Sequence, residues 1–264
     1  MNRSAWSKVF TADPNAAWEK YGADDPYFGV LNQGAFKTHA LDDASRASFF
    51  QSGEAYVDSV FRDIHQHLGQ QYPFARALDF GCGVGRLVIP FAHRCTSVVG
   101  IDVSHHMLEE AQGNCEETGV ANAEFVKSDG DWPEVSGTFD LIHSFIVFQH
   151  IPVKRGEGLL RAMLQRLRVG GVGVLHFTYH RKAPWLRKAV HSLRKSVPLV
   201  NQVVNVVQRK PLSYPMMQMN EYNLNHIFLT LQDHGCDRTF LRLTNHGGHL
   251  GVIVFFRCGE ASVQ

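Results

Sequence analysis

Long apolar runs are missing from this 264-residue chain. Neither its start nor any later stretch has the apolar length of a signal peptide or of a membrane span, which needs ~20 residues. A cytoplasmic protein is the expectation. Cysteine is sparse: Cys82, Cys95, Cys115, Cys236 and Cys258 are scattered, and no C-x-x-C pair occurs. That spacing speaks against structural zinc and against a disulfide framework. Cys82 is read as a small packing residue. The chain holds 15 histidines but no H-E-x-x-H spacing, so no metal is expected, and the pair His246 and His249 is only a weak alternative. Charge of one sign is also lacking. Lys plus Arg number 26 against 25 Asp plus Glu, a net charge of +1, which gives no general case for a nucleic-acid partner. A chain of this length buries roughly 70–75% of its unfolded surface, so its core needs no staples.

Glycine is present where it carries most information. In Ala77-Leu78-Asp79-Phe80-Gly81-Cys82-Gly83-Val84-Gly85-Arg86, an apolar run meets a carboxylate and then three alternating glycines. The pattern reads as a strand, a tight turn and a helix that offers unpaired N–H groups to a negative group. A dinucleotide fingerprint, G-x-G-x-x-G, needs its third glycine at position 86 or 88. Arg86 and Val88 stand there, so neither register fits.

Four further segments follow in order. Thr96–Asp102 is a short apolar run ending in a carboxylate, which can accept bonds from both ribose hydroxyls. It leads into Val103-Ser104-His105-His106-Met107-Leu108. Ala123–Lys127 precedes Ser128-Asp129-Gly130. Phe139–Ser144 runs into Phe145-Ile146-Val147-Phe148-Gln149-His150-Ile151-Pro152. Leu167-Arg168-Val169-Gly170-Gly171 leads into a last apolar run. Together these segments resemble the motifs of the class I S-adenosylmethionine (SAM) dependent methyltransferases.

The resemblance implies the rest of the site. SAM would be the cofactor and S-adenosylhomocysteine (SAH) the product. Asp79, Gly81, Gly83 and Gly85 would form the first cofactor motif. Asp102 would hold the ribose, and Val103 and Met107 would pack on adenine. Asp129, with Gly130, would meet the adenine amino group, and Ser144 and Phe145 would stand at the end of the fourth strand. The competing reading of Met107 is ordinary helix packing, and that of Asp129 is a turn aspartate.

Strand and helix alternate through the middle of the chain. That pattern implies an α/β fold with a doubly wound, mostly parallel sheet and helices on both faces. Strands are expected near 75–80, 97–102, 123–127, 138–144 and 172–179, and helices near 85–94, 105–118, 154–168 and 221–234. Arg238–Thr244 and Leu250–Arg257 read as a hairpin. The resembled family places its seventh, antiparallel strand between the fifth and sixth. Residues 1–74 would form a helical arm or cap. Its helix from Glu54 to about Leu68 would bury Val57, Val60, Phe61, Ile64 and Leu68. Residues 75–264 would be the SAM-binding core.

Residues 181 to about 220 form an insertion. It carries Arg181, Lys182, Arg187, Lys188, Arg194, Lys195, Arg209 and Lys210, with no acid before Glu221. It reads as a basic lid over the acceptor, as a peripheral membrane contact, or as a packed helical insertion with a solvated face.

Methyl transfer requires an acceptor atom in line with the methyl group, and a hydroxyl acceptor requires a base. His150 is the first candidate, with His180 and His249 behind it. The competing reading of His150 is a structural histidine bonded to a loop carbonyl. No N-P-P-Y or D-P-P-Y follows the fourth strand, which disfavours amino-methylation of DNA bases. No P-C motif occurs either, which disfavours cytosine C5 methylation. A small-molecule, glycan or lipid-linked acceptor remains, most simply at oxygen, with N- or C-methylation open. A SAM-binding regulator without transferase activity is the other class. The oligomeric state is not legible.

Overall fold

The computed structural model describes residues 14–69, 74–183, 200–207 and 217–259. Seven strands form one sheet in the order β3-β2-β1-β4-β5-β7-β6. They are β1 (Phe74–Phe80), β2 (Cys95–Asp102), β3 (Ala123–Lys127), β4 (Phe139–Ser144), β5 (Leu167–Arg181), β6 (Arg238–His246) and β7 (His249–Arg257). β1 to β5 pair in parallel, while β7 runs antiparallel between β5 and β6. The expected topology is present, last-strand inversion included.

Alternation along the strands divides the core. Leu78 and Phe80 of β1, Ile142 of β4 and Leu175 and Phe177 of β5 face one side. There they pack against α6 (Val153–Arg166), through Leu159, Leu160 and Met163, and against α8 (Leu224–Asp233), through Ile227 and Leu231. Ala77, Leu141, Val172 and Val174 face the other side. That side is covered by α3 (Asp43–Asp63) and its continuation Ile64–Leu68, a wider π-type turn. Val57, Val60, Phe61, Ile64 and Leu68 are all buried in this layer, as their spacing requires. The N-terminal arm is therefore part of the core's packing. The helix starts earlier than its apolar face suggests, because Asp42 caps it by accepting the Ser45 N–H at 2.8 Å.

Three local expectations change. The helix after the glycines, α4, spans only Val88–Ala92, because the turn-forming segment runs on past Gly85. β5 begins at Leu167 rather than 172: Leu167 pairs with Phe139, and Gly170 donates to the Cys258 carbonyl at 2.7 Å. Cys236 and Cys258 are joined as a disulfide. Arg238 pairs with Arg257 at the open end of the β6–β7 hairpin, so the cysteines flanking that pair meet. A count of C-x-x-C spacings does not register this meeting of hairpin ends. Cys82, Cys95 and Cys115 remain free and buried.

The α3 layer sits unusually close to the glycine turn. A Cβ on Gly53, in mid-helix, would lie 2.4 Å from the backbone oxygen of Arg86. Alanine is intrinsically better than glycine in a helix by about 1 kcal/mol. Here the clash is with backbone and outweighs that gain. Gly53→Ala is expected to lower stability by roughly 1–3 kcal/mol in chemical denaturation. A neutral or stabilising result would show that α3 is not seated against the turn.

Candidate cofactor and active site

The carboxyl ends of β1, β2 and β4 open into a cleft of about 880 Å³, its solvent-filled mouth included. This is the end of an open α/β sheet at which ligands bind. Gly81 and Gly83 form its floor, with Ile101, Asp102 and Val103 on one wall and Phe145, Ile146, Val147 and His150 on the other. Gly81 takes φ +76°, and a Cβ there would lie 2.3 Å from Val147. Both facts require glycine.

Four N–H groups of the glycine turn are consumed internally. Gly81 and Cys82 donate to the Ile101 carbonyl at 2.7 and 3.0 Å, and Gly85 donates to Cys82. Gly83 donates to Asp102 Oδ2 at 2.9 Å. The expected anion cradle at a helix start is therefore absent from these four groups. A pyrophosphate would find these donors occupied, whereas a ligand with hydroxyls and an uncharged base would not need them.

Asp102 is the polar centre of the cleft. Its two oxygens accept from Gly83 and, at 3.0 Å, from Ser104. Burial raises its carboxyl above the usual range, while the backbone N–H groups of Ser104, Gly83 and Val103 pull it back. Each oxygen keeps a second lone pair for a ligand hydroxyl. Ser104 then caps α5 (His105–Glu117), accepting the Met107 N–H at 3.2 Å. That cap sets Met107 into the cleft wall beside Val103.

The N-terminal arm covers the opposite side. Pro14, Asn15 and Trp18 of α1 (Pro14–Asp24) and Gly29 and Val30 of α2 (Pro26–Val30) line the cleft. α1 is tied down by Glu19, which accepts from the His105 N–H at 2.7 Å and pairs with His106 at 2.6 Å. Asn15 bonds the Asp129 carbonyl, and Arg155 bonds the Gly130 carbonyl. In α2, Tyr27 donates to Glu110 of α5 at 2.6 Å. Trp18, Asn15 and Arg155 were not among the cleft residues to which the sequence pointed.

The expected site residues separate into two groups. Gly81, Gly83, Asp102, Val103, Met107, Gly130, Phe145 and His150 line the cleft. Asp129 does not: the loop presents Ser128 and Gly130, and the Asp129 side chain is exposed, with Oδ1 accepting the Asp131 N–H at 3.3 Å. It is the turn aspartate of the competing reading. Ser144 is buried and donates to the Phe80 carbonyl at 2.9 Å, a strand-end tie rather than a cleft contact. Gly85 packs against Ala111. Asp79 lines a second, smaller chamber next to the cleft.

His150 reaches the cleft, yet both ring nitrogens are engaged. Nδ1 lies 2.7 Å from the Gln218 carbonyl, so it must carry the proton. Nε2 lies 3.1 Å from the Gln149 amide nitrogen and therefore accepts. The amide is oriented by Thr178, whose hydroxyl donates to Gln149 Oε1 at 2.7 Å. Burial pushes the imidazole down to about 4. The ring also meets Trp18 edge-on at 4.9 Å between centroids. His150 is thus a neutral wall residue bonded to a loop carbonyl, with no lone pair left for an acceptor's proton.

His180 is exposed, and His249 is half-buried on the β6–β7 hairpin; neither lines the cleft. No His, Cys, Asp or Glu group among the described residues has metal-holding geometry. No described helix is long and apolar enough to cross a membrane. Of the basic insertion, Arg187, Lys188, Arg194, Lys195, Arg209 and Lys210 lie outside the described residues.

Comparison with known proteins agrees with this geometry. Residues 77–171 match a family described as a methyltransferase domain. Over 113 residues the chain is 35% identical to trans-aconitate 2-methyltransferase of Deinococcus radiodurans, covering 42% of this chain and 40% of that protein. It is 27% identical over 168 residues to a probable fatty acid methyltransferase of Mycobacterium tuberculosis, covering 63% and 38%. It is 28% identical over 117 residues to a 23S rRNA (uracil(1939)-C(5))-methyltransferase of Enterobacter, covering 44% and 25%. The match thus spans 40% or less of these relatives' length. Among solved structures, magnesium protoporphyrin IX methyltransferase from Synechocystis with bound SAH superposes with a TM-score of 0.64. Identity is 18%, over 94% of this chain and all of that one. Residues 77–171 thus match a methyltransferase domain, and the sheet order around them is similar to that of the class I SAM-dependent methyltransferases.

Proposed function

We propose that the protein binds SAM in this cleft and transfers its methyl group to the oxygen of a small-molecule or lipid-linked acceptor. The observation that carries the reading is Asp102, held by Gly83 and Ser104 at the mouth of an apolar slot between Met107, Phe145 and Trp18. Such a slot takes a flat base and presents one carboxylate to ribose hydroxyls. SAM supplies a methyl group already activated by a sulfonium. The protein has to place the acceptor, exclude water and, for a neutral hydroxyl, remove a proton. Trp18, Val30, Phe145 and Ile146 give the cleft its water-excluding walls.

The engaged, neutral His150 bears on the acceptor. An oxygen that arrives already ionised, as in a carboxylate or an acidic phenol, needs no base. That class fits a wall lacking one, and it keeps company with the trans-aconitate relative. The lipid and rRNA names among the relatives leave the acceptor's size open. SAM binding without turnover remains the alternative. Release of SAH from SAM in the presence of carboxylate and phenol acceptors tests the reading. Binding without turnover on any acceptor class would favour the regulator.

Two outcomes are expected. Asp102→Ala removes a charge-assisted contact that contributes roughly 1.5–3 kcal/mol, so SAM affinity should fall on the order of 10- to 150-fold. Equilibrium dialysis with labelled SAM measures this, and unchanged affinity in a folded variant would place the ribose elsewhere.

The second outcome concerns pH. Burial pushes His150 to about 4 and His176 to about 3, against 6.5 for an exposed imidazole. Between those values the unfolded chain binds protons that the folded chain refuses. The stability these groups contribute is complete above about pH 6.5 and is lost as pH falls toward 4. Thermal unfolding should show this decline, and His150→Gln should make it shallower while leaving turnover within several-fold. A collapse of turnover at unchanged SAM affinity would return the base role to His150.

A further inference from the structure

The cleft runs along the carboxyl ends of the parallel strands, with Asp102 at the end of β2. Beyond β4 the same edge of the sheet is completed by the end of β5 and by the turn between β6 and β7. Gly247 and Gly248 take φ +61° and +90°, the two left-handed positions of a tight hairpin turn. That turn closes the hairpin on the pair His246 and His249, and Arg181 of β5 pairs with His249 from the other side. Directly paired residues of antiparallel strands share a face, so Arg181, His249 and His246 stand abreast. The Lys182 N–H donates to the Gly248 carbonyl at 2.8 Å, which pins the turn against β5.

One step along β7, Gly251 pairs with Thr244 and with Thr178. A Cβ on Gly251 would lie 2.4 Å from His176 Nε2 and 2.7 Å from Thr244 Oγ1, so glycine makes room for the His176 ring. The ring centroid of His246 is 5.5 Å from that of His176. Phe145 stands edge-on to both, at 5.3 Å from His176 and 5.8 Å from His246. Phe145 is also a wall of the main cleft. The imidazoles therefore stand directly behind that wall, on the side away from Asp102.

This corner holds polar atoms that the fold leaves incomplete. His176 is fully buried, yet its Nδ1 has no hydrogen-bond partner among the described residues. The same is true of the buried atoms His249 Nδ1 and Arg181 Nε. Burial lowers His249 below the ordinary imidazole range, the Arg181 cation adds to that, and Glu221 works the other way. His249 is therefore neutral at neutral pH. Buried donors without partners are costly unless a ligand completes them. A guanidinium beside a neutral imidazole that carries its proton on Nδ1 offers N–H donors and one positive charge, the chemistry that receives an oxyanion.

We propose that Arg181 and His249 hold an oxyanion of the methyl acceptor, a carboxylate or phosphate set back from the atom that is methylated, with Phe145, His176 and His246 as the wall along which the acceptor lies. The inference rests on the reading that the cleft holds SAM, because only then does Phe145 separate this corner from a methyl group. The substrate class is an acceptor with a second anionic group that does not react.

Calorimetric titration of the SAH-saturated protein reads the corner directly. Glutarate and adipate are compared with valerate and hexanoate, which match them in length but end in a methyl group. Glycerol 3-phosphate is compared with glycerol and supplies the phosphate source. The wild type should bind a dianion more tightly than its match, on the order of 10- to 100-fold. Preference among the dianions identifies the source as carboxylate or phosphate. Arg181→Met should remove the difference, and Arg181→Lys should restore part of it. His249→Phe should weaken the dianion several-fold, and His249→Asn, whose amide can replace the Nδ1 donor, should restore part. SAH affinity, titrated separately, should stay within about twofold in all four variants. No preference for any dianion in the wild type would overturn the proposal, as would equal losses for a dianion and its match in Arg181→Met. SAH binding retained in the same samples would then leave the cofactor reading standing. Absence of SAH binding would remove the cofactor reading and the proposal with it.

Discussion

One carboxylate joins the elements of the site. Asp102 ends β2, accepts the N–H of Gly83 from the glycine turn and accepts the N–H of Ser104 at the start of α5. Through the first bond it holds the cleft floor, and through the second it sets the helix that carries Met107. Burial works against its charge, and the backbone donors work for it. A ligand offering hydroxyl donors would add to the same balance. The floor, the wall and the ligand group are thus coupled through a single side chain.

The sheet places a second set of polar groups by register alone. On the α3 side, β1, β4 and β5 are apolar near their starts, with Ala77, Leu141, Val172 and Val174 in the core. Near their carboxyl ends the same face carries Asp79, His143 and His176, all buried. α3 covers this row and supplies Tyr56. His176 Nε2 meets the Thr244 hydroxyl of β6 at 2.8 Å, and its Nδ1 is buried without a hydrogen-bond partner among the described residues. The N-terminal arm therefore does two jobs. α1 and α2 wall the cleft, and α3 seals the polar row beneath it.

Much of this was legible in the sequence, for a local reason. A strand that alternates and a turn that needs glycine leave marks within ten residues, so the seven strands, the glycine turn and Asp102 can be read directly. What was not legible depends on partners far along the chain. His143 lies 64 residues from Asp79, and Tyr56 lies 87 residues from His143. No spacing rule links them. Asp129 shows the converse: it sits at the expected position, but its loop turns the side chain to solvent and gives the cleft Ser128 and Gly130 instead. His150 lines the cleft, while its chemistry is set by Gln149, Thr178 and Gln218, two of them from later segments.

The glycine turn suits a SAM-type ligand because the N–H groups of Gly81, Cys82, Gly83 and Gly85 are already spent. Titration of the purified protein with SAH and with NAD at equal concentrations tests it most directly. Saturable one-site binding of SAH and no detectable heat from NAD are expected. Comparable binding of NAD would mean that the turn opens to a pyrophosphate, and would contradict the assignment of the cleft.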